Sequence, residues 1–162
     1  MFKHFIFCLT ISFPLLAHAE LADTDPDSVC QFLAASDLKG RKWTDYGDGT
    51  AGCASDYKDI GNGVPLANNL AYYVMGQGNE AERVKLVMNA NQPNAAAPAI
   101  KQLSNAASKL SPKALGVPLP DSVRKAIAKG EPVVVNVGSG EVEVLKDIWP
   151  SGKGYEIQVM MR

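Results

Sequence analysis

The sequence predicts an α+β fold, with a mostly antiparallel sheet and helices packed on one of its faces. Three observations predict this class: a hairpin pattern in the middle of the chain, amphipathic helices after it, and three β-rich segments near the C-terminus. The predicted order is a helix, three strands, two helices and three strands. This order raises the hypothesis of two αβββ halves within one α+β domain spanning residues 20–162.

The N-terminal residues are typical of a secretory signal peptide. Lys3 precedes an apolar run from Phe5 to Leu16, and a small-x-small cleavage site ending at Ala19 follows. Residues 1–19 are therefore predicted to be a signal peptide, and cleavage near Ala19 would leave 162 − 19 = 143 residues. This length suits a single domain. The predicted location is the periplasm or the extracellular space.

Removing the signal peptide also removes both histidines, His4 and His18. Histidine-dependent nucleophilic catalysis is then excluded, as are the commonest zinc and copper sites. Without Lys3 the basic residues number 16 − 1 = 15 against 17 acidic residues, a net charge of about −2 with no basic cluster. We therefore expect no metal, no cofactor and no nucleic-acid partner. No later segment is apolar for long enough to span a membrane.

Two cysteines remain, Cys30 and Cys53. An even pair in an exported chain predicts a structural disulfide, because thiols are oxidised in that compartment. The spacing is far from the Cys-x-x-Cys pattern of redox enzymes.

Acidic residues lie around the start of the first predicted helix. Asp25 is expected to be the N-cap of this helix, with Asp27 in its first turn. Asp23, Asp25 and Asp27 also resemble the opening of a calcium-binding EF-hand loop. Such a loop needs Gly at its sixth position and Glu at its twelfth, where Ser28 and Ala34 stand, so the sequence favours capping.

The stretch "WTDYGDGTAGC" raises the same question of a turn or a calcium site. Gly47 and Gly49 replace two of the oxygen-bearing side chains that a loop starting at Asp45 would need. Asp48-Gly49 is a strong tight-turn dipeptide, which predicts a turn into the strand "AGCASDYKDI" that carries Cys53. A weak calcium site formed by Asp45 and Asp48 remains the alternative.

The predicted secondary structure beyond this turn follows hydrophobic periodicity. "NLAYYVMG" and "ERVKLVMN" should form a hairpin in which Tyr72 and Tyr73 face opposite sides. "IKQLSNAASKL" should be a helix that ends at "SPKALGVPLP", and "DSVRKAIAKG" a second helix with Asp121 as N-cap and Gly130 as its stop. "PVVVNVG", "EVEVLKDI" and "GYEIQVMM" should be the last three strands.

Two Ser-x-x-Lys matches, beginning at Ser55 and Ser122, resemble the nucleophile motif of penicillin-binding enzymes. The Ser-Asp-Asn and Lys-Thr-Gly motifs of those enzymes do not follow. Ser55 is better interpreted as a strand residue and Ser122 as part of a helix N-terminus. No catalytic residue is predicted.

Large aromatic residues lie at the predicted turns: Trp43, Tyr46, Trp149 and Tyr155. The favoured interpretation is that they cover the core, because large rings are mostly buried. If they are exposed together, they predict a partner-binding patch.

These observations predict an exported binding module that acts by contacting another envelope or secreted protein, such as an inhibitor, an immunity-type protein or an envelope accessory protein. The alternative is a small carboxylate-dependent hydrolase or a ligand carrier. In that case Asp45 and Asp48 would be an acid/base pair lying in a cleft.

Overall fold

The computed structural model describes residues 20–162, and the predicted signal peptide, residues 1–19, lies outside the described residues. The described part of the chain contains three α-helices and eight strands. In chain order they are α1 (Pro26–Val29), β1 (Thr44–Asp45), β2 (Ala51–Ala54), β3 (Lys58–Ile60), β4 (Asn68–Gln77), β5 (Glu80–Ala90), α2 (Ala97–Ala114), α3 (Asp121–Lys129), β6 (Val133–Val137), β7 (Gly140–Ile148) and β8 (Tyr155–Met161).

The strands form one antiparallel sheet in the order β1-β2-β4-β5-β8-β7-β6, with β3 also pairing with β4. The helices pack on one side of it, with α2 against β4, β5 and β8 and α3 against β6 and β7. This architecture confirms the predicted α+β class. None of the described helices is both long and apolar enough to cross a membrane.

The hydrophobic core lies between the sheet and α2. Val84, Leu86 and Met88 alternate along β5 and are fully buried on the helix side, as the period-2 pattern predicts. Leu103 on α2 is buried against them. The predicted division of the tyrosine pair is also observed, because Tyr72 is buried in the core and Tyr73 is only half-buried on the outer side.

The two-halves hypothesis is correct for the C-terminal half and wrong for the N-terminal half. The segment from α3 to β8 is a helix followed by three strands, but five strands follow α1. The predicted strand "AGCASDYKDI" is divided into β2 and β3, which pair with successive parts of β4. At the division the Ser55 hydroxyl accepts a hydrogen bond from the backbone N–H of Tyr72 at 3.0 Å and takes the place of a ladder carbonyl.

The first helix begins as predicted but is shorter. The Asp25 carboxylate caps it by accepting from Ser28 N at 2.8 Å, and Asp23 accepts from the Ser28 hydroxyl at 2.5 Å. The regular helix then ends after one turn. The carbonyl of Cys30, which would accept from residue 34 in a continuing helix, accepts from the backbone N–H of Gly40 at 2.8 Å.

Two helix ends differ from the prediction. α2 does not end at Ser111-Pro112 but continues through Pro112 to Ala114. The Ser111 carbonyl accepts from Leu115 N and its hydroxyl donates to Val117 O, and these two bonds stabilise the last turn of the helix. In α3, Asp121 is the first helical residue and not the N-cap, and Pro120 occupies the cap position. Gly130 ends α3 in the left-handed conformation, as expected.

The predicted disulfide between Cys30 and Cys53 is present, with the two Cα atoms 6.2 Å apart. It links the C-terminal end of α1 to β2. Both cysteines are buried, and a Cβ atom at Gly40 would lie 2.8 Å from the sulfur of Cys53. The bond therefore fixes α1 on the sheet and is compatible with a protein that folds in an oxidising compartment.

Candidate functional site

The four aromatic residues predicted as partner contacts lie at two opposite ends of the sheet. Trp43 and Tyr46 flank β1 near the turn between β4 and β5, where Trp43 Nε1 donates to Gly78 O at 2.7 Å. Trp149 and Tyr155 flank the turn between β7 and β8 at the other end. β5 runs between these ends over 11 residues, a length of about 35 Å. The four rings therefore do not form a single patch.

Three of the four rings are half-buried. Trp43 and Tyr155 pack against the core, and the Tyr155 ring also lies 4.3 Å from the Lys146 ammonium, measured to its centroid. Trp149 lies against Gly154, where any side chain would collide with the ring. Tyr46 differs, because it is 60% exposed. Covering the core is therefore the structural role of Trp43 and Tyr155, while a role of any of the four rings in partner binding stays a prediction.

The acidic turn that precedes β2 is exposed and internally hydrogen-bonded. The Asp45 carboxylate accepts from Gly47 N at 2.8 Å, and Asp48 accepts from the backbone N–H of Thr50 at 2.9 Å and from its hydroxyl at 2.6 Å. The hydroxyl bond and then the backbone bond of Thr50 lower the pKa of Asp48 from its ordinary value. A general acid needs the opposite shift. These contacts favour the interpretation of the stretch as a turn.

The two serines of the Ser-x-x-Lys motifs, Ser55 and Ser122, lie in different environments. The Ser55 hydroxyl accepts from Tyr72 N and donates to Asp56 O at 2.8 Å, while Lys58 donates to Ser36 O and to the Asp37 carboxylate. Ser122 is exposed in the first turn of α3. The Ser55 hydroxyl is therefore engaged by the backbone, and Lys58 contacts other residues, so this pair is not arranged for activation of the serine by the lysine.

An exposed apolar loop between β3 and β4 was not predicted as a site. Val64 is 83% exposed and Leu66 57% exposed, in a segment that the sequence analysis treated only as a break between strands. We call residues 61–66 the apolar loop. The sequence did contain a signal for this loop. Two aliphatic residues stand on either side of a proline in an otherwise polar and glycine-rich segment.

The backbone of the apolar loop is held by side chains that follow β5. Nε2 of Gln92 lies 3.0 Å from Asn62 O, 3.1 Å from Val64 O and 2.9 Å from Leu66 O, so its two hydrogens are shared among three carbonyls. The buried Asn68 side chain in turn fixes Gln92, accepting from its backbone N–H at 2.7 Å. The loop therefore presents its two aliphatic side chains from a fixed backbone.

The apolar loop lies at the same end of the sheet as Trp149. Asn69 of β4 pairs with Asn89 of β5, and the next residue of β5, Ala90, pairs with Tyr155 of β8. Ile148, which pairs with Tyr155, is 65% exposed. We call the exposed side chains at this end, Val64, Leu66 and Ile148, the apolar end.

A polar cleft of about 190 Å³ lies between residues 35–38, which follow α1, and the middle of α2. Two lysines converge on one residue there, since Lys58 Nζ donates to Ser36 O at 3.0 Å and Lys109 Nζ donates to the Ser36 hydroxyl at 3.2 Å. The exposed Asp37 carboxylate partly balances their charge. Asp45 and Asp48 do not line this cleft.

Metal-binding geometry is also absent from residues 20–162, where no group of three or more Cys, His, Asp or Glu side chains is arranged to hold an ion. In comparisons with protein-family models, with curated proteins and with solved structures, none matches this chain. The assignment of function therefore depends on the described surface.

Proposed function

We propose that the protein is an exported binding module, and that its apolar end contacts another envelope or secreted protein. The observation that carries this proposal is the contrast between Val64 and Leu66, which are exposed, and their backbone, which three Gln92 contacts hold in place. Loops on a rigid scaffold are the usual location of binding residues.

The fixed backbone has an energetic consequence for binding. Ordering one free residue costs roughly 1–2 kcal/mol, and this cost weakens any complex in which a loop must first become ordered. Burying a Val or Leu side chain contributes roughly 1.5–3 kcal/mol. Because the apolar loop is already held by Gln92, most of the contribution from Val64 and Leu66 is available for affinity.

The surroundings of the loop indicate the chemistry of the partner. Val64 and Leu66 expose aliphatic side chains that suit an apolar pocket or groove on a protein surface. The exposed charges of Lys146 and Asp147 next to Ile148 suit a polar rim around that pocket. The disulfide supports a location where such a partner is also exported. An inhibitor-type or immunity-type protein that inserts this loop into its target is compatible with both features.

The test is capture of periplasmic and secreted proteins by the immobilised mature domain, comparing wild type with Leu66→Ser and Tyr46→Ser. Leu66 is 57% exposed and Tyr46 60% exposed, at opposite ends of the sheet, so the two substitutions are matched in exposure. We expect Leu66→Ser to weaken capture of a specific protein by more than about tenfold, which corresponds to about 1.4 kcal/mol. Tyr46→Ser should leave it unchanged.

A second arm tests whether the fixed backbone matters. Gln92→Ala keeps Val64 and Leu66 but removes the contacts to the three carbonyls, so it should weaken binding with both apolar residues still present. Equal capture by wild type and the Leu66→Ser protein, each with a normal melting curve, would contradict the proposal. Loss of capture in Tyr46→Ser alone would instead assign the function to the opposite end of the sheet, where Trp43 and Tyr46 flank β1.

The polar cleft favours a second candidate, a carrier of a small anionic ligand. Lys58 and Lys109 both point at Ser36, and their ammonium groups retain donors that these contacts do not use. Calorimetric titration with citrate and with inorganic phosphate tests this candidate. Binding that disappears in Lys109→Met would favour it, and no heat from either anion would reject it.

A further inference from the structure

The two edges of the sheet differ in length and charge. At one edge β1 has two residues, Thr44 and Asp45, and β3 contributes a three-residue strand containing Lys58 and Asp59. Short strands and charges are common protections against edge-to-edge pairing. The other edge is β6, with five residues of sequence "VVVNV" and no charge. Val134 on this strand is 56% exposed.

The pairing of β6 with β7 determines which backbone groups face outward. The hairpin closes at Val137 and Gly140 across a two-residue turn, so Val133, Val135 and Val137 exchange their hydrogen bonds with β7. The N–H and C=O groups of Val134 and Asn136 therefore point to the open edge, and within residues 20–162 neither N–H has a hydrogen-bond acceptor.

We propose that a second copy of this chain pairs with β6, antiparallel and about a two-fold axis at Val135. In this register Val134 of the first copy faces Asn136 of the second, and Asn136 of the first faces Val134 of the second. Each such pair exchanges two N–H to C=O bonds, so the outward groups of both residues are satisfied in both copies. The pairing extends the eight-stranded sheet into a continuous sheet across two molecules.

The side chains of β6 are compatible with this register. β6 contains no charged residue, so the pairing brings no like charges together. Val135 is half-buried against the core on the helix side of the sheet. The two copies of Val135 meet on the axis and cover each other. On the outer side, the exposed Val134 lies beside Asn136 of the second copy.

The register can be tested by cysteine cross-linking of the mature protein. At a directly opposed pair that shares no hydrogen bonds the Cα atoms lie about 4.5 Å apart, within the reach of a disulfide. Val135→Cys should therefore give a covalent dimer under mild oxidation. Val133→Cys is the matched control, half-buried on the same strand and face. Its two copies would be about 13 Å apart, too far for a bond.

A second measurement uses protein without added cysteine. Light scattering should show a dimer of the wild type, and Asn136→Pro should convert it to a monomer. That N–H faces away from β7, so the variant should still fold, with a melting temperature that no longer depends on protein concentration. A monomeric wild type at about 100 μM, well above a micromolar Kd, would overturn the proposal. So would equal cross-linking of both cysteine variants, or an Asn136→Pro protein that folds and remains dimeric.

Discussion

Removal of the Cys30–Cys53 disulfide should lower the stability of the protein without changing its fold. The bond closes a loop with a sequence separation of 23 residues. By chain-entropy reasoning, a loop of this length restricts the unfolded chain by about 3 kcal/mol at 25 °C. The double variant Cys30→Ala/Cys53→Ala is preferable to the serine pair, because both positions are buried and two unpaired hydroxyls would add their own cost.

The expected change in melting temperature follows from the size of the domain. The 162 − 19 = 143 residues that remain after the predicted cleavage correspond to an unfolding entropy of about 0.3 kcal/mol/K. A loss of about 3 kcal/mol then lowers Tm by about 10 °C. Circular dichroism melts of wild type and variant, each with and without reductant, measure this difference.

Reductant serves as the internal control. It should lower the Tm of the wild type toward that of the variant and leave the variant unchanged. Mass spectrometry after alkylation adds an independent check, because both thiols should be protected before reduction. An unchanged Tm in the double variant, or two thiols that label in the native protein, would refute the argument that this bond stabilises the fold.

Three other substitutions test the local contacts. Tyr72→Phe should cost about 1–3 kcal/mol, because the buried Val29 carbonyl loses its bond from the Tyr72 hydroxyl at 2.8 Å. Burial also raises the pKa of Tyr72, so wild-type stability should be fully present below the unfolded tyrosine pKa of about 10 and be lost as pH rises beyond it. Urea titrations should show a smaller alkaline loss in Tyr72→Phe. Ser55→Ala should lower the unfolding free energy by about 1 kcal/mol and leave partner capture intact, since its hydroxyl bonds to the sheet backbone; loss of capture in a folded variant would instead assign Ser55 to the partner contact. Calcium should not change Tm, because Thr50 holds one Asp48 carboxylate oxygen with two bonds and residues 20–162 contain no group of three or more Cys, His, Asp or Glu side chains arranged to hold an ion; a rise in Tm that Asp48→Ala abolishes would restore the calcium hypothesis.

Local periodicity was sufficient to predict most elements of the fold. The alternation of Val84, Leu86 and Met88 predicted the helix-facing side of β5, and Gly130 predicted the end of α3. The length of α1 could not be predicted in this way. It depends on the Gly40 N–H, which reaches the Cys30 carbonyl only when the chain is folded.

The candidate site was harder to predict because it depends on contacts between distant parts of the chain. The exposure of Val64 is maintained by Gln92, 28 residues later in the sequence. The separation of Trp43 from Trp149 depends on the strand order, which periodicity does not reveal. Sequence patterns therefore identified aromatic residues at turns but could not determine which of them share an end of the sheet.

The position of β8 constrains the order in which the protein can fold. β8 lies between β5 and β7, so within the described sheet it joins the strands that precede α2 to the hairpin that follows α3. Before Tyr155–Met161 are available, the chain can form a five-stranded sheet from β1 to β5 and a separate β6–β7 hairpin, but not the continuous sheet. Pairing between β5 and β8 also closes a long loop, which makes it a slow step. A chain that emerges from its N-terminus, during synthesis or export, would thus remain without its completed core until Tyr155–Met161 have emerged.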